Sequence, residues 1–225
     1  MTKRIAMLVL ASAMAWITVG GAVAAKAPDT AATLPYPLDY CIVTGEALGS
    51  MDKPVSLEHA GREIQFCCGS CVKKFKADPE RYLKEIDAAV MQEQRPLYPL
   101  MTCVVDGKPL GATPIEFLSQ YTLVRVDSEA CRAAFLADPK KPLAVLEQAV
   151  IAKQGPTYPL GTCVVTGEKL GEMGDPVNYV YQGHLVRFCC SGCIRSFEKD
   201  PASYLKKIAA ASQPSSPASP SPTKG

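Results

Sequence analysis

Eight of the ten cysteines in this chain fall into two matching sets that could carry out thiol chemistry. One set joins Cys41 to the run Q-F-C-C-G-S-C over 65–71, and the other joins Cys163 to the run R-F-C-C-S-G-C over 187–193. In both sets the leading cysteine lies in a C-x-V-T-G motif and precedes the first cysteine of the run by 26 positions. Thiolates bind soft metal ions, form disulfides and undergo redox exchange, so three kinds of chemistry are open to this pattern.

Metal binding is the chemistry that the spacing favours. Disulfides are expected in an exported chain with an even number of cysteines, but two adjacent cysteines are awkward to pair with separate partners. Redox exchange at 68–71 and 190–193 is supported only by a C-x-x-C motif, without the βαβ pattern of a thioredoxin. The candidate metal ligands are Cys41, Cys67, Cys68, Cys71, Cys163, Cys189, Cys190 and Cys193. Whether three or four thiolates bind in each set stays open.

The two sets lie in the first and third copies of an internal repeat. Each copy opens on Tyr-Pro-Leu, and the copies follow one another with a period of 60 to 62 residues. In every copy a later cysteine is followed four residues on by Phe and seven residues on by Asp-Pro. We therefore predict three tandem modules, at 36–90, 98–152 and 158–210, joined by linkers such as 154–156 and sharing few contacts.

Each module is predicted to contain a cysteine turn, a β-hairpin and short helices. In the third module apolar residues alternate up to a turn at Gly183 and back to Phe188, which indicates two strands of period two. In the first module Asp78-Pro79 provides a helix N-cap with proline at the first helical position. The fold class is α+β. Because a module of about 55 residues buries little apolar surface, we expect metal to stabilise the two outer modules.

The middle module departs from the pattern of its neighbours. Asp127 and Ser128 occupy the positions of the paired cysteines, and the hairpin turn at 120–121 lacks glycine. Cys103 and Cys131 remain, and two thiols in an oxidising compartment readily form a disulfide. We therefore predict a Cys103–Cys131 disulfide and a spacer module in place of a third metal site.

The outer modules resemble the YHS/TRASH family of small metal-binding modules. The resemblance rests on an early cysteine, a hairpin with Gly at its turn, F-C-x3-C and F-x2-D-P-x2-Y; it covers 36–87 and 158–208 well and 98–150 in outline. The resemblance implies a role in sensing, trafficking or resistance to heavy metals, copper especially. The ligands that it implies are Cys41, Cys67 and Cys71 in the first module and Cys163, Cys189 and Cys193 in the third.

Residues 1–25 are typical of a secretory signal peptide. Lys3 and Arg4 precede an apolar run, and the segment ends on small residues with an A-x-A pattern. An uncleaved anchor is the alternative, because the apolar stretch over 5–25 is long enough to span a bilayer. We predict cleavage, and therefore a periplasmic or secreted protein with no membrane span after removal of the signal.

Composition bounds the remaining functions. The Pro/Ser-rich segment 211–225 cannot bury a core and is predicted to be a disordered tail. Without Lys3 and Arg4, 22 of the 24 basic residues remain against 22 acidic residues, so the formal charge of the mature chain is near zero. The mature chain therefore lacks the excess positive charge that is typical of proteins that bind nucleic acid. No Gly-rich phosphate loop or nucleophile elbow occurs in the sequence, and the two histidines leave few general bases. We therefore expect no enzyme activity.

The sequence as a whole predicts an exported, non-catalytic protein that binds two thiophilic ions per chain, as Zn(II) or Cu(I). Its expected task is heavy-metal handling, and a membrane metal transporter or another periplasmic protein is the candidate partner. A metal-stabilised scaffold for protein interactions is the first alternative. A thiol-disulfide oxidoreductase that uses the C-x-x-C pairs is the second and less favoured one.

Overall fold

The computed structural model of the chain describes residues 33–50, 52–172 and 174–212. The predicted signal peptide at 1–25 lies outside these residues. So does the predicted tail apart from Ala211 and Ser212, which belong to a helix.

The described residues form a mixed α/β structure in which small hairpin sheets alternate with helices. The six strands pair as three antiparallel hairpins: β1 (Val55–His59) with β2 (Arg62–Phe66), β3 (Ile115–Ser119) with β4 (Thr122–Val126), and β5 (Val177–Tyr181) with β6 (His184–Phe188). Two helices follow each hairpin: α1 (Gly69–Ala77) and α2 (Pro79–Gln94), then α3 (Glu129–Ala137) and α4 (Lys140–Gln154), then α5 (Gly192–Phe197) and α6 (Pro201–Ser212). We call the repeated unit of cysteine turn, hairpin and two helices a segment, with bounds of 33–97, 98–157 and 158–212.

The hairpins have the register that the alternating pattern predicts. Leu57 faces Ile64, and Tyr179 faces Val186, across two-residue turns. Both turn residues have positive φ in every hairpin, which is the condition for the type I′ turns that match strand twist. Tyr121 holds this conformation at φ 62 without being glycine. Its ring is buried in the core of the first segment, and this packing offsets the strain of a positive φ at a residue other than glycine.

The helices start where local chemistry favours a start. The Asp78 side chain accepts a hydrogen bond from the Arg81 amide at 3.3 Å, with Pro79 as the first helical residue, as predicted. The Phe that follows each later cysteine lies under the hairpin of its own segment. Phe75 is fully buried and edge-on to Phe66 at 5.4 Å, and Phe197 is likewise edge-on to Phe188 at 5.6 Å. These aromatic pairs hold the first helix of the segment against the sheet.

The second helix of a segment is longer than expected. Helix α2 has 16 residues and α4 has 15, so both run past the predicted module ends at 90 and 152. Their last turns reach the hairpin of the following segment, where Gln94 and Gln154 each bind one backbone group of the turn and one of the second strand, β4 or β6. The expectation that 154–156 is a linker with few contacts is therefore wrong at Gln154, because its side chain joins two segments.

Within the described ranges, no helix is both long enough and apolar enough to span a membrane.

Candidate metal centres

The first candidate centre forms where a turn, a strand end and a helix start meet. Cys41 lies in a tight turn in which its amide donates to the Glu46 carbonyl at 2.8 Å and its carbonyl accepts from the Gly45 amide at 2.7 Å. Cys67 follows β2, and Cys71 lies in the first turn of α1. The three sulfur atoms lie within 4.8 Å of one another, and all three residues are buried. We call this group the first triad.

The second candidate centre repeats this geometry in the third segment. Cys163 lies in the same kind of turn, with its amide 2.7 Å from the Glu168 carbonyl. Cys189 follows β6 and Cys193 belongs to α5, and the three buried sulfurs again lie within 4.8 Å of one another. We call this group the third-segment triad. The structure therefore brings together six of the eight sequence-predicted ligands, three at each centre.

The remaining two predicted ligands lie beside the triads. The Cys68 sulfur is 3.6 Å from the Cys71 sulfur, and the Cys190 sulfur is 3.9 Å from the Cys193 sulfur. Unlike the triad residues, Cys68 and Cys190 are only half-buried. Each thiol is thus placed at the solvent side of its triad, next to the helix cysteine.

Cys68 and Cys190, which we call the rim thiols, ionise more readily than an ordinary cysteine. The Ser70 hydroxyl, followed by the Cys71 amide and thiol, lowers the pKa of Cys68 to about 6. The Gly192 amide is the main group that lowers the pKa of Cys190. At neutral pH Cys68 is therefore largely a thiolate, and the lowered pKa of Cys190 favours the thiolate at the other centre.

Within a triad the turn cysteine and the helix cysteine differ in acidity. Burial opposes ionisation of Cys163, but backbone amides of Thr166 and Cys189 that point at its sulfur outweigh burial and lower its pKa to about 6. The pKa of Cys41 is lowered in the same way, by the Cys67 amide and the Thr44 hydroxyl against the effect of burial. Burial, followed by neighbouring thiols, raises the pKa of Cys193. One thiolate per triad forms easily, and a cation is needed to stabilise all three.

A threonine hydroxyl contacts each triad from outside. Thr44 Oγ1 shares a hydrogen bond with the Cys67 sulfur at 3.4 Å, and Thr166 Oγ1 shares one with the Cys189 sulfur at 3.5 Å. The Cys189 thiol also donates to Glu168 at 3.2 Å. The sequence carried a signal for this threonine, because the C-x-V-T-G motif repeats it in both outer segments, but its role was not predicted.

The middle segment has a different group of potential ligands. Cys103, Asp106, Asp127 and Cys131 each offer one ligand atom, and these four atoms lie within 4.8 Å of one another. All ten cysteines fall within the described residues, and each is a free thiol, Cys103 and Cys131 included. The disulfide between these two stays a prediction. Both aspartates were missed as ligands: Asp127 indicates a lost cysteine in the sequence, and Asp106 was not singled out.

Comparisons with known proteins give no independent identification. No protein-family model matches the chain, and no curated protein or solved structure matches it. The resemblance to YHS/TRASH modules therefore rests on the residues of the chain, and its implications stay predictions.

Proposed function

We propose that this chain is an exported, non-catalytic protein that binds one thiophilic ion in each of its two cysteine triads. The observation that carries the proposal is the convergence of three buried free sulfurs at both centres. A Zn–S bond of about 2.3 Å places sulfur ligands about 3.8 Å apart around a tetrahedral ion and about 4.0 Å apart around a trigonal one. The sulfurs of Cys67 and Cys71, and of Cys189 and Cys193, are 3.7 Å apart, which is close to this requirement.

The proposal includes three tandem modules of the YHS/TRASH kind, with metal stabilising the outer two. The same element order in the three segments supports a common origin for them. Small units of this size usually need a cross-link, and each triad joins a turn to a strand end and helix start that lie 26 to 30 residues further along the chain. Metal binding at the triad then contributes to folding of the segment.

Zn(II) and Cu(I) are the ions that this donor set favours. Soft thiolates select these ions over Mg(II) or Ca(II). If only the triad binds, three sulfurs suit trigonal Cu(I); if Cys68 or Cys190 joins its triad, four sulfurs suit tetrahedral zinc. The half-buried position of both rim thiols supports a role in passing an ion between solvent and the buried triad. Such a route suits heavy-metal trafficking, sensing or resistance, with a membrane metal transporter or another periplasmic protein as partner.

Metal analysis of the exported, reduced protein tests the proposal. We expect two tightly bound ions per chain in the outer segments, one fewer in Cys71→Ser and one fewer in Cys193→Ser. In each variant the intact triad serves as the control for folding and for metal supply. Unchanged metal content in both variants would refute the triads as binding sites. A fast exchange rate with a chelator would favour handling of the ion, whereas slow exchange with loss of structure would favour a metal-stabilised scaffold.

Thiol-disulfide exchange is a second candidate function, and a specific observation favours it. Cys68 and Cys71 form a C-x-x-C pair at the start of α1, with sulfurs 3.6 Å apart. The outer thiol has a pKa of about 6, while burial raises the pKa of the inner one. This division between an attacking and a resolving thiol is what an oxidoreductase needs. Cys71→Ser would then accumulate mixed disulfides at Cys68 with a thiol substrate, whereas a pure metal-binding site would not.

A further inference from the structure

The middle segment keeps a potential ligand at every position where the outer segments have a triad cysteine. Cys103 occupies the place of Cys41, Cys131 the place of Cys71, and Asp127 the place of Cys67. A thiol is thus exchanged for a carboxylate at one position, and the other two thiols are kept. A segment that had merely lost its metal site would not need a metal-binding side chain at position 127.

A second exchange in the same segment adds another ligand. Asp106 stands in the turn where the outer segments have the threonine that contacts a triad sulfur, as Thr44 does in the first segment. Its carboxylate converges with that of Asp127 and with the sulfurs of Cys103 and Cys131, all four ligand atoms lying within 4.8 Å. Two sulfurs and two carboxylate oxygens match the number and kind of ligands in a four-coordinate site.

A lysine occupies one carboxylate of this group, and an incoming cation displaces its side chain. Lys108 stands where the outer segments have Glu46 and Glu168; its ammonium pairs with Asp106 Oδ2 at 2.7 Å, and its amide donates to Asp106 Oδ1 at 3.1 Å. The lysine side chain is 71% exposed, so the pair lies at the surface, where an ion pair contributes little and can be displaced. Asp127 is held from the other side by the Ser128 hydroxyl, which donates to Oδ1 at 3.0 Å and leaves the second oxygen free of this bond.

We propose that the middle segment binds a borderline divalent cation of the Zn(II) class through Cys103, Asp106, Asp127 and Cys131. Binding forms two metal–sulfur and two metal–oxygen bonds and releases the thiol protons of Cys103 and Cys131 to solvent, with no change of oxidation state. Because carboxylates are harder ligands than thiolates, this site discriminates against Cu(I), which the outer triads accept. The proposal replaces the predicted disulfide and does not rest on metal binding by the outer triads.

Titration of the full-length reduced protein with Co(II) and Zn(II) tests this site. We expect one divalent ion in addition to those of the outer triads, and one ion fewer in the Asp106→Asn/Asp127→Asn double variant. Loss of even an outer-shell group typically weakens binding about 10- to 100-fold, so the double variant should weaken the site by at least about 100-fold. Asp175→Asn makes the same chemical change at an exposed position outside the site and should bind as wild type does.

A charge variant separates a binding role from a structural one. Lys108→Ala removes the cation that competes for Asp106, so it should tighten Co(II) binding several-fold, whereas loss of a merely structural ion pair would not. Equal ion counts in wild type and in the double aspartate variant would overturn the proposal. A Cys103–Cys131 disulfide in non-reduced peptides of the exported protein would overturn it as well. Failure of the outer triads would show separately, as unchanged ion counts in Cys71→Ser and Cys193→Ser.

Discussion

Single residues set the order in which the thiols of each centre react. Cys68 and Cys190 are half-buried and have lowered pKa values, whereas burial, followed by neighbouring thiols, raises the pKa of Cys71 and Cys193. Hydroxyl and amide groups beside the rim thiols, together with burial of the helix thiols, make this difference. An incoming reagent or ion therefore meets the rim thiol first.

Limited alkylation of the reduced, metal-free protein at pH 7 should modify Cys68 and Cys190 before any other cysteine. The thiolate fraction of Cys68 is large above its pKa of about 6 and falls as the pH drops below that value, so its alkylation rate should fall with it. Peptide mass spectrometry after short exposure to iodoacetamide measures the order. Equal modification of Cys71 at early times would contradict this account of the rim.

Thr44→Val should weaken metal binding in the first segment about 10- to 100-fold, because the hydroxyl beside Cys67 orients that ligand. Thr44→Ser keeps the hydroxyl and should bind nearly as tightly as wild type. Competition with a chelator of known affinity gives the ratio, with the third-segment triad as the internal reference. An unchanged affinity in Thr44→Val would show that the hydroxyl plays no part in the site.

At the level of elements, the ends of the long helices serve as partners for the edge of the next hairpin. The Gln94 side chain donates to the Tyr121 carbonyl at 2.6 Å and accepts from the Leu123 amide at 2.9 Å. In the first segment the backbone of Leu34 makes the matching pair of bonds, with Gly61 at 3.0 Å and Glu63 at 2.8 Å. A single glutamine amide thus takes the place of the N–H and C=O of one backbone residue, since it also offers a donor and an acceptor.

Gln94→Leu should lower the free energy of unfolding by about 2 to 6 kcal/mol. The change leaves the Tyr121 carbonyl and the Leu123 amide buried without a partner, and each unpaired group costs about 1 to 3 kcal/mol. Gln92→Leu makes the same substitution on an exposed position of α2 and should have little effect. Urea denaturation of the reduced protein compares the two. Similar midpoints for both variants would mean that the hydrogen bonds of Gln94 contribute nothing net.

At the level of the whole molecule, the three segments are joined in series. Helix α2 packs on the hairpin of the second segment and α4 packs on that of the third, while Arg62 donates to the Tyr121 hydroxyl at 2.7 Å. In linear arrays of this kind, stability includes a term for each interface between neighbours. We therefore expect metal binding at one centre to change the stability of the adjacent segment as well.

Cu(I), which the middle-segment site discriminates against, should slow amide exchange in β5 and β6 and also in α4 when it is added to the reduced chain. Gln154 transmits the effect, because it binds the Gly183 carbonyl at 2.7 Å and the Leu185 amide at 2.8 Å. In Gln154→Leu the slowing should stay within the third segment, while Gln148→Leu, at an exposed position of α4, should behave as wild type. Hydrogen-exchange mass spectrometry resolves these regions. No slowing of α4 in wild type would show that the segments open independently.

The local features of this protein could be predicted from its sequence. Alternating apolar residues and two-residue turns predict the hairpins, Asp78-Pro79 predicts the start of α2, and the cysteine spacing predicts that turn, strand end and helix start converge. These features depend on interactions between residues close in sequence, or on a pattern repeated in two segments. Such interactions produce patterns in the sequence that predict the local structure.

Features that depend on a partner far along the chain became visible only in the folded structure. Gln94 and Gln154 are polar residues at helix ends, where a sequence suggests exposure, and the neighbouring hairpin buries Gln94 and half-buries Gln154. The position of the helix start decides which of two adjacent cysteines enters a triad, so Cys67 points inward and Cys68 stays at the rim. Asp127 appears in sequence as a lost cysteine, and it becomes a candidate ligand only where the fold sets it beside two thiols and a second carboxylate.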